Sequence, residues 1–267
     1  MNSLFNYVKS QNVIFIYLAL LLIFLPSFEA PKNLFVILLV FTWAFVARRD
    51  NNLGGKWRAI DTIFLFWIIF DIIIGINAVV NLDLPANGSK DIIKFILVGW
   101  VVSRLSLDKK QMIFLIVTTV IFATIPLIES YYELANNERR IYIELNSVGH
   151  VNHTAIYLLI SYVLSSSMLV LQFNKIGHTL KSTLLVTTLV LAYAVVDTNS
   201  RATSGMLVMF TLLLMPYAVY LYKNSKFTFA TILFVLLSII LITNNPPPVV
   251  NKFIHGTHLI GDSPRSK

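Results

Sequence analysis

The run "FWIIFDIIIGINAVV", residues 66–80, sets one carboxylate, Asp71, inside a stretch that is otherwise apolar apart from Gly75 and Asn77. It has no polar face to present to water, as a surface helix of a soluble domain requires. With its flanks, 59–80, it supplies the roughly 20 residues that carry a helix across a bilayer core. Eight further stretches of this kind lie near residues 12–28, 33–47, 91–106, 111–128, 153–172, 181–196, 203–222 and 227–243. The composition agrees, because 57% of the 267 residues are hydrophobic, 13% are charged and the mean hydropathy is +0.75, far from the balance of a soluble domain.

The sequence therefore predicts an all-α fold, a polytopic transmembrane helical bundle of about nine helices, with one membrane domain over 1–243 and a polar tail over 244–267. The second and seventh segments are short, which flanking residues that snorkel and a locally thinned bilayer accommodate. The first segment is preceded only by Lys9 and followed by no small-residue cleavage site, so it reads as a retained helix and not as a signal peptide. Cysteine is absent, which excludes a disulfide framework and a thiolate metal site.

The formal net charge of +8 is a topology signal more than a nucleic-acid footprint, and no nucleic-acid partner is expected. With the N-terminus cytoplasmic, twelve basic and three acidic residues fall on the cytoplasmic side, against nine of each on the other. The cluster "RRDNNLGGKWR", 48–58, contributes most to that bias. The segments facing outward are then "FEAPKN", "NLDLPANGSKD", the long "ESYYELANNERRIYIELNSVGHVNH", the tight link "DTNSR" and the tail from Asn244.

Ionisable groups near or inside hydrocarbon are costly and therefore informative. Asp71 reads as a proton or cation site, as an internal partner for a basic group, or as a carboxyl hydrogen-bonded to a neighbouring helix. Lys94, in "SKDIIKFILVGW", either snorkels to the headgroups or reaches a lipid phosphate. Arg201, in "VVDTNSRATSGML", opens the eighth segment with a donor fork suited to a phosphate or diphosphate, and Ala202, Ser204 and Gly205 after it leave room for a bulky headgroup. Arg139 and Arg140 stand beside Glu133, Glu138 and Glu144 and read as a solvated salt-bridge cluster.

In "SVGHVNHTAIYLLISYVL", 147–164, His150 and His153 share a face if the helix starts before His150. A metal would need more ligands, of which Glu144 or Asp197 could supply one, and no metal or cofactor is expected. Imidazoles bonding a sugar or phosphate fit better, while Asn152, His153 and Thr154 also suit the cap of the sixth helix. No phosphate loop, nucleophile elbow or zinc helix occurs. "FEAPKN" carries a single acid, Glu29, where metal-dependent transferases of lipid-linked sugars commonly carry a pair. Pro26, Pro126 and Pro216 show none of the pairing of an inverted-repeat transporter.

"SVGHVNHTAIYL" opening one helix from the outer face, and "DTNSRATSG" opening another some fifty residues later, resemble the O-antigen ligase and O-antigen polymerase family of bacterial inner-membrane proteins. The many-helix layout and the lysine early in the fourth segment are similar too. The resemblance implies a metal-independent inverting glycosyltransferase at the periplasmic face. It would take a glycan from undecaprenyl diphosphate and pass it to the lipid A core or to a glycan acceptor. It also implies that Arg201 engages the diphosphate with help from Lys94, and that His150, Asn152 and His153 line the mouth of the cavity where donor meets acceptor. Membrane lipids are the remaining partners.

Family members often have leucine four residues after the arginine, where this chain has Gly205. They also carry a large periplasmic loop with a catalytic histidine, then further helices. Here the tail holds His255 and His258, neither preceding a glutamate, so the resemblance implies a shortened member lacking its catalytic residue. Two other classes fit the composition: a multi-pass transporter or flippase-like protein coupled through Asp71, and a membrane scaffold.

Overall fold

Nearly every stretch that is apolar enough to avoid water is also free of internal helix breakers, and in the computed structural model these stretches form helices. The structure describes residues 2–49, 55–82, 87–136, 142–148 and 150–222. Eight helices cover most of them: α1 (Asn2–Phe24), α2 (Glu29–Arg49), α3 (Ala59–Leu82), α4 (Asn87–Arg104), α5 (Lys109–Asn136), α6 (Val151–Gln172), α7 (His178–Asp197) and α8 (Arg201–Tyr222). No strand occurs among the described residues, so the class is all-α. The predicted ninth segment, 227–243, the tail from 244 and the Arg139/Arg140 pair lie outside the described residues.

Helix ends follow local chemistry. Glu29 stands in the first turn of α2, and Arg48 and Arg49 in its last, each matched to the helix dipole. Asp108 and Gln111 close a reciprocal capping box at the start of α5: the Asp108 carboxylate accepts from the Gln111 N–H at 2.7 Å, and the Gln111 side chain accepts from the Asp108 N–H at 3.0 Å. Pro126 and Pro216 sit inside α5 and α8, as helices bound for a membrane tolerate.

Among the described residues, five helices are long and apolar enough to cross a membrane: α2, α3 as far as Val80, α5, α6 and α7. The second and seventh segments, short by sequence, both qualify, because the helices run past the apolar cores into their polar flanks. Segments one, four and eight are helical but are not among the five. In α1 the apolar part is only Asn12–Phe24. In α4 it is shortened by Lys90, Asp91 and Lys94 in the first two turns.

The chain divides into two compact units, residues 1–115 and 116–267. In the first, α1 packs on α2 and α2 on α4, around Ile14, Leu18, Leu21, Val36, Leu39, Val46 and Val101. α3 joins through α4 alone to any extent, and its other faces stay exposed from Ile63 to Val80. In the second unit α6, α7 and α8 pack pairwise, with Leu158, Leu184, Leu191 and Val195 fully buried.

Candidate functional site

Hydroxyls between the helices of the second unit fix their register. The Tyr162 hydroxyl of α6 meets the Thr211 hydroxyl of α8 at 2.7 Å. These residues stand eleven and ten positions beyond the helix starts, so α6 and α8 run the same way with their beginnings level. Ser165 of α6 meets Thr188 of α7 at 2.6 Å, and the short 173–177 link turns α7 back along α6, so that α7 ends about a turn and a half short of the α6 start. The beginnings of α6 and α8 and the end of α7 thus share one end of the unit.

The turn that joins α7 to α8 is three residues long. The Thr198 N–H donates to the Ala194 carbonyl and the Asn199 N–H to the Val196 carbonyl, both at 3.1 Å. Asn199 takes φ 61°, the left-handed conformation that ends helices and that asparagine tolerates better than most side chains. Ser200 then opens α8, its carbonyl accepting from Thr203 and Ser204. This reversal leaves Arg201 as the exposed first residue of α8. Ala202 and Gly205 are exposed beside it, and a Cβ added to Gly205 would meet open space. Ser204 keeps a buried hydroxyl that no hydrogen bond satisfies.

The start of α6 differs from expectation. The helix begins at Val151, so His150 lies before it, at φ −47° and ψ 146°, and shares no helical face with His153. The cap is His150 itself, whose Nδ1 accepts from the Asn152 N–H at 3.3 Å. Thr154 takes a different role: its hydroxyl accepts from the Leu145 N–H at 3.1 Å, tying down the preceding segment, in which Ile143 and Leu145 are fully buried. Ser130 of α5 donates to the Glu144 carbonyl and holds that segment from the other side. His150, Asn152 and His153 are all exposed, and the two imidazole rings are 6.4 Å apart. Among the described residues no three histidine, aspartate or glutamate side chains are gathered as a metal site.

Four of the five predicted site residues therefore share one end of one unit. The fifth, Lys94, is half-buried on α4 in the first unit. There, reasoning from sequence missed the main feature. Asp61, fully buried, accepts from Arg104 Nε and from Trp100 Nε1, each at 2.8 Å, and a second Arg104 nitrogen meets its other oxygen. Arg104 also donates to the Gly55 and Lys56 carbonyls at 3.1 Å. Asp61 caps α3 by accepting from the Arg58 N–H at 2.6 Å, and the Arg58 guanidinium reaches the Ser103 carbonyl at 2.7 Å. The pattern "KWRAID" with a helix-ending arginine is the signal for this clamp in the sequence, one that a count of charges for topology passes over.

This clamp also sets the α3/α4 register. Phe64 lies against Gly99 and stacks near Trp100. Ten residues on from Asp61 stands Asp71, and ten back from Arg104 stands Lys94, so the two are level across an antiparallel pair. Asp71 is 5% exposed, and one of its carboxyl oxygens has no hydrogen-bond partner.

These helices define a multi-pass α-helical membrane protein. No protein-family model, curated protein or solved structure matches the chain.

Proposed function

We propose that the chain binds an undecaprenyl-diphosphate-linked glycan at the α6/α8 end of its second unit, at the periplasmic face of a bacterial inner membrane. It would serve transfer of that glycan to a lipid A core or glycan acceptor, as O-antigen ligases and polymerases do. One observation carries the reading: exposed Arg201 opens α8 beside the uncovered Ala202 and Gly205, at the end where His150, Asn152 and His153 are also exposed. A guanidinium at a helix start adds its fork of donors to the positive end of the helix dipole, a combination suited to a diphosphate. Preorganised positive charge of this kind stabilises a diphosphate leaving group as the glycosidic bond breaks.

The test is binding of the undecaprenyl-diphosphate glycan to the chain in lipid nanodiscs. Arg201→Ala is expected to weaken it at least about tenfold, or about 1.4 kcal/mol. Arg201→Lys is expected to recover only part, since an ammonium lacks the bidentate fork. Unchanged binding in Arg201→Ala removes the reading.

A second reading, an ion-coupled transporter, has one observation in its favour, the buried Asp71 carboxyl with an unsatisfied oxygen. Asp71→Asn would abolish transport of a lipid-linked or soluble substrate into proteoliposomes on that reading and leave glycan-lipid binding intact on the first.

A further inference from the structure

We propose that the first unit binds the phosphate of an anionic phospholipid at the end where α2 and α4 finish and α3 begins, through Arg58, Lys56, Arg48, Lys109 and Lys110. The site lies in the other unit from Arg201 and stands apart from the diphosphate reading.

Three of the chain's four tryptophans collect at this end. Trp100 has Trp43 of α2 at 6.2 Å, and Trp57, from the segment before α3, stands edge-on to it at 5.9 Å. Trp57 donates its indole N–H to the Thr62 hydroxyl at 2.8 Å, yet the residue stays 51% exposed. An indole held in place with an apolar flank uncovered suits the boundary between hydrocarbon and headgroups, where tryptophan collects. Its neighbour in sequence, Arg58, is thereby set at the depth of the lipid phosphates.

Arg58 is held in position with donors to spare. Its Nη2 donates to the Ser103 carbonyl at 2.7 Å and its Nε stands 3.7 Å from Asp61, while the side chain is 48% exposed. Nη1 bonds nothing among the described residues. A guanidinium already ordered in this way loses little freedom on taking a phosphate oxygen.

Other cations surround it. Lys56 and Arg48 are exposed, and neither side chain makes an ion pair or hydrogen bond among the described residues. Arg48 stands five positions beyond Trp43, about 7.5 Å along the helix. Lys109 and Lys110 are exposed in the first turn of α5, and Leu105 and Leu107 before them pack on the α1/α2/α4 core. The described carboxylates at this end are committed elsewhere, Asp61 to Arg104 and Trp100 and Asp108 to the α5 cap. An acidic protein would have to reach past the headgroups to meet charges set at tryptophan depth. A phosphodiester is already there.

The experiment titrates the full chain in detergent with phosphatidylglycerol and with phosphatidylcholine, and native mass spectrometry counts the lipids retained. Phosphatidylglycerol is expected to bind at least about tenfold more tightly, since each basic side chain near an anionic headgroup layer contributes about fivefold. Arg48→Gln/Lys56→Gln removes most of that preference while phosphatidylcholine retention is unchanged, which shows that the variant folds. Arg58→Gln lowers it too, and Arg58→Lys restores only part, because an ammonium lacks the fork.

A preference that survives the double variant, or that Arg201→Ala abolishes instead, overturns the site. So does displacement of phosphatidylglycerol by inorganic phosphate, which would make the ligand a soluble anion. Equal retention of the two lipids also overturns it, and polyglutamate bound in their place would assign the charges to an acidic protein.

Discussion

A buried ion pair is costly to assemble and more costly to break on one side. Asp61 and Arg104 meet that description, with side chains 0% and 1% exposed. Arg104 is further committed to two carbonyls of the 55–56 segment. We expect Asp61→Asn to lower the thermal midpoint of the detergent-solubilised chain, because it leaves a buried guanidinium uncompensated. The double variant Asp61→Asn/Arg104→Gln should be less damaged than the sum of the singles, and a thermal-shift double-mutant cycle reads the difference. Asn199 gives a second residue-level test. Its φ of 61° costs an L side chain roughly 1–2 kcal/mol, and a β-branched one tolerates it worst. Asn199→Gly should therefore be neutral or stabilising and Asn199→Val destabilising by about that amount, measured by urea or dodecyl-sulfate unfolding. Sequence alone marked "DTNSR" as a tight link. It did not show that the asparagine is what makes Arg201 the first residue of α8.

At the scale of helices, the sequence carried the type of element well and partnership poorly. Apolar runs report that a segment avoids water, which is why α2, α3, α5, α6 and α7 were all readable. They carry no period that says which side meets which neighbour when every side is apolar. The serines and threonines carry that information, because a hydroxyl in hydrocarbon must find a partner. Ser165 of α6 donates to the Leu184 carbonyl at 3.3 Å and meets Thr188, and Tyr162 meets Thr211. Interhelical hydrogen bonds in a bilayer average about 0.6 kcal/mol. A Ser165→Ala/Thr188→Val cycle is expected to return a coupling of about that size. A coupling near zero would mean that each hydroxyl is content with its own helix. His150 shows the other gap: no sequence rule names histidine as a cap, so the helix start was placed two residues late, at 153.

For the whole molecule, the absence of cysteine makes orientation directly testable by single-cysteine labelling. With the N-terminus cytoplasmic, Asn152→Cys reacts with an impermeant maleimide from the periplasmic side of intact cells, and Asn174→Cys, in the α6–α7 link, reacts only after permeabilisation. The reverse pattern would put Arg201 and His150 in the cytoplasm and dissolve the periplasmic transfer reading. The hydroxyls of α7 bear on how such a chain is made. Ser182, Thr183, Thr187 and Thr188 each donate to a carbonyl three or four residues back on their own helix, those of His178, Thr179, Thr183 and Leu184. These groups are satisfied before the helix touches anything else. Despite its five serines and threonines, α7 can therefore leave the translocation channel for lipid on its own as it emerges from the ribosome. Docking on α6 then only adds the Ser165 hydroxyl at Thr188, which keeps its own carbonyl partner, after insertion is already complete.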